Sequence, residues 1–377
     1  MRVHVAPRQD FVAVNIVLAK AISVVEESRA QKLGKQFSSA LEANLRARQR
    51  PAPPNVAHSM AEMESDAHRN AQWLRRIRKV RKCLGVGTYS PVFEVTTLKG
   101  QKRALKLGVN KKEVDVARLV HEDDWDVIDT GANLHMLMPL YTTDIRTYFD
   151  IMRERVEETP KEEVDEALED FFLDLITVYD QVHDQFSLIH DAGLVHRDIH
   201  GKNIMIGETD EGELVATLID FGLARKVECP SRTLPRFRNP ETFVRSMRYH
   251  DDYYAFNMVV LDGVAYVMAG MASRADRHLR KFAARRKQFK LVGALLHDMT
   301  RASEKDDEKA ERVAALQLAT RLGVKASTPS DELYDKAVEV LYDLSFFNMR
   351  VMRKAITSTR SAAGMKLFNM IFDFFLA

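Results

Sequence analysis

The sequence predicts an α+β protein in two lobes, a small antiparallel β-rich lobe followed by a larger helical one. Three observations carry this. Short β-prone runs punctuated by glycine begin near residue 80: "KCLGVGTYSPVFEVTTL", "QKRALKLG" and "LHMLMPLY". A clear amphipathic helix comes later, with Phe172, Leu175, Tyr179, Val182, Phe186 and Ile189 at three- and four-residue spacing and Gly193 placed to end it. Beyond about residue 245 every segment reads as helix.

Taken in order, residues 1–78 read as a basic, mostly helical extension with a proline-rich linker near 51–54, residues 79–140 as the first lobe and residues 141–377 as the second. The overall charge of +2 hides an asymmetry, because residues 1–82 hold 16 Lys and Arg against 7 Asp and Glu. That arm reads as a solvated extension, and no nucleic-acid partner is expected from it. The run "FVAVNIVLAKAISVV" (11–25) is interrupted by Asn15 and Lys20 and falls short of a spanning helix, so it is expected to pack on the body. Two cysteines, Cys83 and Cys229, give neither a disulfide framework nor metal-ligand spacing, and point to an intracellular, cytoplasmic or nuclear setting.

In the first lobe, Gly85 and Gly87 bracket Val86 in a turn where backbone N–H groups can approach phosphate oxygens. Lys106 lies 21 residues beyond Gly85 in the apolar strand "RALKL", a costly place for a lysine unless it is paired or holds an anion. In the second lobe, the acidic stretch 153–170 reads as a solvated helix or loop. The loop "HRDIHGKN" then sets Asp198 five residues before Asn203, and Asp220 follows one short hairpin later. An acid that orients an attacking hydroxyl, with an amide and a carboxylate oxygen suited to magnesium, is what phosphoryl transfer needs.

These motifs, in this order, resemble the protein kinase superfamily over roughly residues 80–270. The resemblance implies a bilobal kinase fold, ATP and Mg2+ as cofactors, and protein substrates. "GVGTYSPVFEV" is similar to the glycine-rich loop, with Val92 roofing adenine. Lys106 would hold the α- and β-phosphates beside Ala104, and Met138 would guard the adenine pocket in a hinge running through Leu140 and Tyr141. Asp198 would be the catalytic base, Asn203 and Asp220 the metal ligands, and Met205 a further member of the nucleotide set. "NPE" (239–241) stands for Ala-Pro-Glu, and Asp252 would brace the catalytic loop. "PLYTTDIRTYF" is similar to protein kinases of large DNA viruses, herpesviruses in particular.

Four departures bear on function. Ser90 and Pro91 replace the third glycine, stiffening the loop. Glu113 follows Lys106 by only seven residues, and serves either as the lysine's partner or as the end of an Asn110 capping box. His200 stands where Ser/Thr kinases carry a lysine, leaving Lys202 to supply that charge. Leu234 occupies the position of the family's hydroxyl residue, one place from Thr233. Arg197 beside the base suggests control by a phosphate in the activation segment, with Ser231 or Thr233 as acceptors, while the shortness and basic character of that segment suit one ordered constitutively.

The expectation is an active protein kinase, Ser/Thr in preference to Tyr. "DIHGKNIMI" with His200 also resembles aminoglycoside and choline phosphotransferases, and a stiff loop with an unpaired lysine would fit a pseudokinase scaffold. The basic run 274–290 reads as a solvated helix face, though "RRK" (285–287) also suits acidic substrates or nuclear import.

Overall fold

The computed structural model describes residues 29, 31–48, 76–86, 90–121, 125–131, 133–209, 211–243, 245–270 and 276–376. The apolar run 11–25, the prolines at 51–54 and Gly87 lie outside them. The chain forms two compact units, Met1–Leu140 and Tyr141–Ala377. No described helix is long and apolar enough to cross a membrane.

The first unit is built on five antiparallel strands: β1 (Ile77–Val86), β2 (Pro91–Thr97), β3 (Lys102–Val109), β4 (Asp126–Asp129) and β5 (Leu134–Pro139). Their order is β1-β2-β3-β5-β4. Register decides what each face carries. Val92 pairs with Lys106 and Lys106 with Met136, while Glu94 pairs with Ala104 and Ala104 with Met138, so these six residues share one face. The residues between them, Phe93, Leu105 and Leu137, point the other way and are buried.

Helix α1 (residues 31–47) covers that second face. Leu33, Phe37 and Leu41, four residues apart, form one stripe and join Phe93, Leu105 and Leu137 in a single core. The Phe37 and Phe93 rings meet edge to face at 4.9 Å. Strand β1 lies at the sheet edge and is bulged, and α1 satisfies its backbone: Val80 N–H donates to Gln36 Oε1 at 3.0 Å, and Asn44 Nδ2 donates to the Cys83 carbonyl at 2.8 Å. Helix α2 (Lys111–His121) follows β3 after a single residue, Asn110.

The second unit opens with β6 (Thr143–Asp144) and α3 (Ile145–Glu158), then α4 (Val164–Asp191). The acidic stretch 153–170 is thus the end of one helix and the start of another. Phe172, Leu175, Val182, Phe186 and Ile189 are fully buried, which makes α4 the axis of this unit. After Gly193, whose φ of 75° ends the helix, come β7 (Leu194–Val195), β8 (Ile204–Glu208), β9 (Leu214–Leu218) and β10 (Arg225–Lys226). Helices α5 (His250–Met268), α6 (Asp276–Ser303), α7 (Glu308–Leu322), α8 (Ser330–Thr359) and α9 (Ala362–Leu376) complete it. A second core, with Phe289, Leu296, Leu318, Leu333 and Leu341, binds α6, α7 and α8 together.

Two glutamines of α4 set the position of β9, the edge of its three-stranded sheet. Gln181 accepts from Ala216 N–H at 2.6 Å and donates to the Leu214 carbonyl at 3.0 Å. Gln185 accepts from Leu218 N–H and donates to the Ala216 carbonyl, both at 2.8 Å. Their amides act as a further strand, so β9 and the residues just beyond it are fixed to the central helix.

Candidate active site

In the first unit, Lys106 Nζ lies 2.5 Å from Glu113 Oε1, and both side chains are almost wholly removed from solvent. Asn110 also caps α2, its Oδ1 accepting from Glu113 N–H at 2.9 Å. Glu113 therefore belongs to both arrangements: its backbone is capped, and its carboxylate turns to the lysine in place of closing the box. A buried pair of this kind is weak evidence for stability, since desolvation offsets much of the attraction, but it holds the ammonium in one place. Gly85 sits opposite Val92 and Val86 opposite Pro91, where the β1–β2 hairpin narrows to its turn. Ser90 Oγ donates to the Gly108 carbonyl at 3.2 Å, tying the start of β2 to the end of β3.

In the second unit, β7 and β8 carry the loop 196–203 between them. Asp252 on α5 is fully buried, and accepts from His196 N–H at 2.7 Å, Arg197 N–H at 3.0 Å and His190 at 3.2 Å. Three donors make burial of this carboxylate tolerable, and they fix the loop backbone. His190, on the last turn of α4, is a partner that periodicity alone could not reveal. The His196 ring bridges the loop to the Ile219 carbonyl at 3.1 Å and lies 5.3 Å from the buried Phe221 ring.

Asn203 Nδ2 donates to the Asp198 carbonyl at 2.9 Å and to Asp198 Oδ2 at 3.3 Å. The amide's nitrogen thus faces the acid, and its oxygen is the atom suited to a cation. Asp198 Oδ1 has His200 Nε2 at 3.7 Å, and His200 Nδ1 accepts from Lys202 N–H at 3.2 Å, so Nε2 carries the hydrogen. The Lys202 side chain is exposed. Asp220 has φ 65° and ψ 65°, and Arg197 has φ 74°, left-handed conformations that cost a non-glycine residue free energy and cluster at functional sites. Met205 on β8 pairs with Asp144 and Thr217 and is half-buried. Leu140 and Tyr141, both half-buried, end one unit and begin the next.

The activation segment, 220–241, is held in place by its own contacts, as in the second of the two readings of it. Arg197 does not await a phosphate: Nε donates to the Pro230 carbonyl at 3.0 Å and Nη1 to the Leu223 carbonyl at 3.2 Å. Ser231 and Thr233 are buried, and Thr233 Oγ1 donates to the Arg197 carbonyl at 3.2 Å. The segment is further held by β10 against β7 and by reciprocal bonds of 2.9 Å linking Glu228 and Cys229 with Met247. Asn239, in place of the family's alanine, donates to Asp251 Oδ1 at 2.6 Å, and Glu241 pairs with Arg245 at 2.5 Å. The "RRK" reading also changes, because Arg286 is buried and bound to both oxygens of Asp262, at 2.6 and 2.9 Å.

Among the described residues no group of three or more His, Cys, Asp or Glu side chains is arranged to hold a metal ion. A carboxylate and an amide oxygen, completed by phosphate and water oxygens, are nonetheless the donor set that magnesium takes.

Residues 78–266, half of the chain, match the protein kinase domain, and the chain belongs to the protein kinase family. It is 31% identical over 90 residues to the serine/threonine-protein kinase pkn2 of Myxococcus xanthus (21% of this chain, 11% of that protein). It is 24% identical over 202 residues to cyclin-dependent kinase E-1 of Arabidopsis thaliana (47% and 41%). It is also 30% identical over 114 residues to the tyrosine-protein kinase Src64B of Drosophila melanogaster (27% and 20%). The chain therefore spans less than half the length of each of these relatives, which include both acceptor classes.

Proposed function

We propose that the chain transfers the γ-phosphoryl group of ATP to a protein hydroxyl, of serine or threonine. The observation that carries this reading is the fixing of Asp198: its loop is anchored at two successive amides by the buried Asp252, and its carboxylate is oriented by Asn203. Such precision about one half-exposed acid serves chemistry better than stability.

In this reading Asp198 aligns the acceptor hydroxyl and takes its proton as the oxygen bonds to the γ-phosphorus and the bond to the β-phosphate oxygen breaks, releasing ADP. Lys106, held by Glu113, neutralises the α- and β-phosphates. Gly85, Val86 and Gly87 cover the phosphates, while Val92, Ala104, Met138 and Met205, with the Leu140–Tyr141 backbone, receive the adenosine. Asn203 and Asp220 would hold magnesium, which when bound neutralises charge on the β- and γ-phosphate oxygens. Lys202 offers a cation four residues from the base. Thr233 supports the Ser/Thr class, because its hydroxyl reaches the catalytic loop from one place beside the family's position.

The small-molecule reading has one observation in its favour, His200 beside Asp198. Against it stand the folded activation segment and the ion pairs of Glu241 and Asp251 with Arg245, which such enzymes do not need. The test is transfer of radiolabelled γ-phosphate to generic protein acceptors, with Asp198→Ala as control and phosphoamino-acid analysis of the product. Label on Ser/Thr, reduced by about 10²–10⁴-fold in the control, is expected. Label on tyrosine overturns the acceptor class, and thermal stabilisation by Mg-ATP without transfer overturns the kinase reading.

A further inference from the structure

Beside the catalytic loop lies a group of cations with too few acids. Gly201, three residues after Asp198, packs directly on the start of α3: a Cβ built there would meet Arg146 Cβ at 3.1 Å and Arg146 N at 3.5 Å. The Arg146 side chain is exposed. Arg236, in the activation segment, is exposed too, and its guanidinium lies 4.6 Å from the Phe237 ring centroid. Burial of part of its surface lowers the Arg236 pKa, Asp262 opposes that, and Arg146 and Arg286 lower it further. Arg236 follows Thr233 by three residues, and the Thr233 hydroxyl bonds the Arg197 carbonyl next to Asp198, so the segment that carries Arg236 is tied to the same loop.

Helix α6 holds Arg236 in this position. Arg286 Nη2 donates to the Arg236 carbonyl at 2.9 Å, and Gly293 leaves room for the Pro235 carbonyl, which would stand 3.2 Å from a Cβ there. Asp262, which Arg286 binds, has both its oxygens taken, by Arg286 and by Lys290 at 3.3 Å. That carboxylate is thus shared between Arg286 and Lys290, and among the described residues neither Arg146 nor Arg236 forms an ion pair.

Building on the protein kinase reading, we infer that Arg146 and Arg236 form a docking site for acidic residues of the acceptor, so that the chain selects hydroxyls with Asp or Glu three to four positions away. The reach follows from chain geometry. Gly201 lies at most three Cα steps from Asp198, about 11 Å, and an extended acceptor covers that span in three to four residues at about 3.3 Å each. A hydroxyl seated at Asp198 therefore carries flanking side chains toward Arg146 at Gly201, and toward the segment that Thr233 ties to the loop and that carries Arg236. Exposed arginines fixed against a backbone favour carboxylates by geometry as well as by charge.

The test uses the full chain and three serine peptides differing only at positions three and four on either side of the hydroxyl, with Glu, Gln or Lys there. The expected order of kcat/KM is Glu, then Gln, then Lys, with about tenfold between the first two, the sum of two or three exposed ion pairs. The preference should shrink at high salt. In an Arg146→Glu, Arg236→Glu variant the order should reverse while KM for ATP stays the same. Equal rates for all three peptides, a preference for Lys, or an order unmoved by the double substitution overturns the inference and leaves the kinase reading standing. Transfer to none of the peptides and to no generic protein overturns both.

Discussion

At the scale of single residues, the informative feature is how little freedom the reactive groups retain. Lys106 sits in strand β3 between the buried Leu105 and Leu107, and Glu113 gives its ammonium a partner at 2.5 Å. Glu113→Gln keeps the shape and the Asn110 cap, which uses the backbone, but removes the charge that holds the lysine. The expected result is a loss of transfer on the order of 10²-fold with the melting temperature lowered, because a buried cation loses its carboxylate partner. Steady-state kinetics beside a thermal melt decide it. Unchanged kinetics would mean that Lys106 finds its place without Glu113.

At the scale of elements, two make their own predictions. The activation segment is held by β10, by the Met247 backbone and by Arg197, whose guanidinium is already spent on carbonyl oxygens. A phosphate on Ser231 or Thr233 would have to displace these bonds, since both side chains are buried. Phosphatase-treated protein is therefore expected to keep its full transfer rate, and a large drop after treatment would contradict the arrangement. Helix α1 is the second case. Phe37→Ala removes a ring packed on Phe93 in a continuous core, at an expected cost of about 3–5 kcal/mol, measured by denaturant unfolding. A cost near zero would show that α1 does not stabilise the sheet it covers.

At the scale of the whole molecule, stability itself should respond to acid. His183 stacks on Tyr179 at 4.2 Å and lies 4.6 Å from Tyr253, and burial, aided by the nearby His190, pushes its pKa down to about 4. From the ordinary 6.5 down to about 4, the unfolded chain takes up a proton that the folded one refuses. The contribution is therefore whole above that window and lost as pH falls through it. Melting temperatures recorded from neutral pH to pH 4 should decline, and His183→Gln should flatten the decline.

The same scale shows what a sequence can and cannot reveal. Periodicity exposed α4, because a buried helix must repeat its apolar residues, and the ordered motifs around Asp198 and Asp220 identified the family. Partner choice over long distances was hidden. Nothing local says that Gln181 and Gln185 complete the edge of β9, that Asn239 reaches Asp251, or that Arg286 turns inward while its neighbours in "RRK" stay outside. Each depends on what the fold brings alongside. The acid at 113 was ambiguous for the opposite reason: its spacing suited two roles, and the backbone and the side chain take one each.

Asp220 leaves a debt in the fold. Its left-handed backbone is one that glycine adopts without penalty, whereas a side chain there costs on the order of 1 kcal/mol. Asp220→Gly is expected to melt at the same temperature as the parent or higher, and to transfer no phosphate. A lower melting temperature would show the aspartate to be part of the scaffold. Selection for durability alone would thus drift toward an inert protein, and a stability screen run on this chain should be read beside an activity assay.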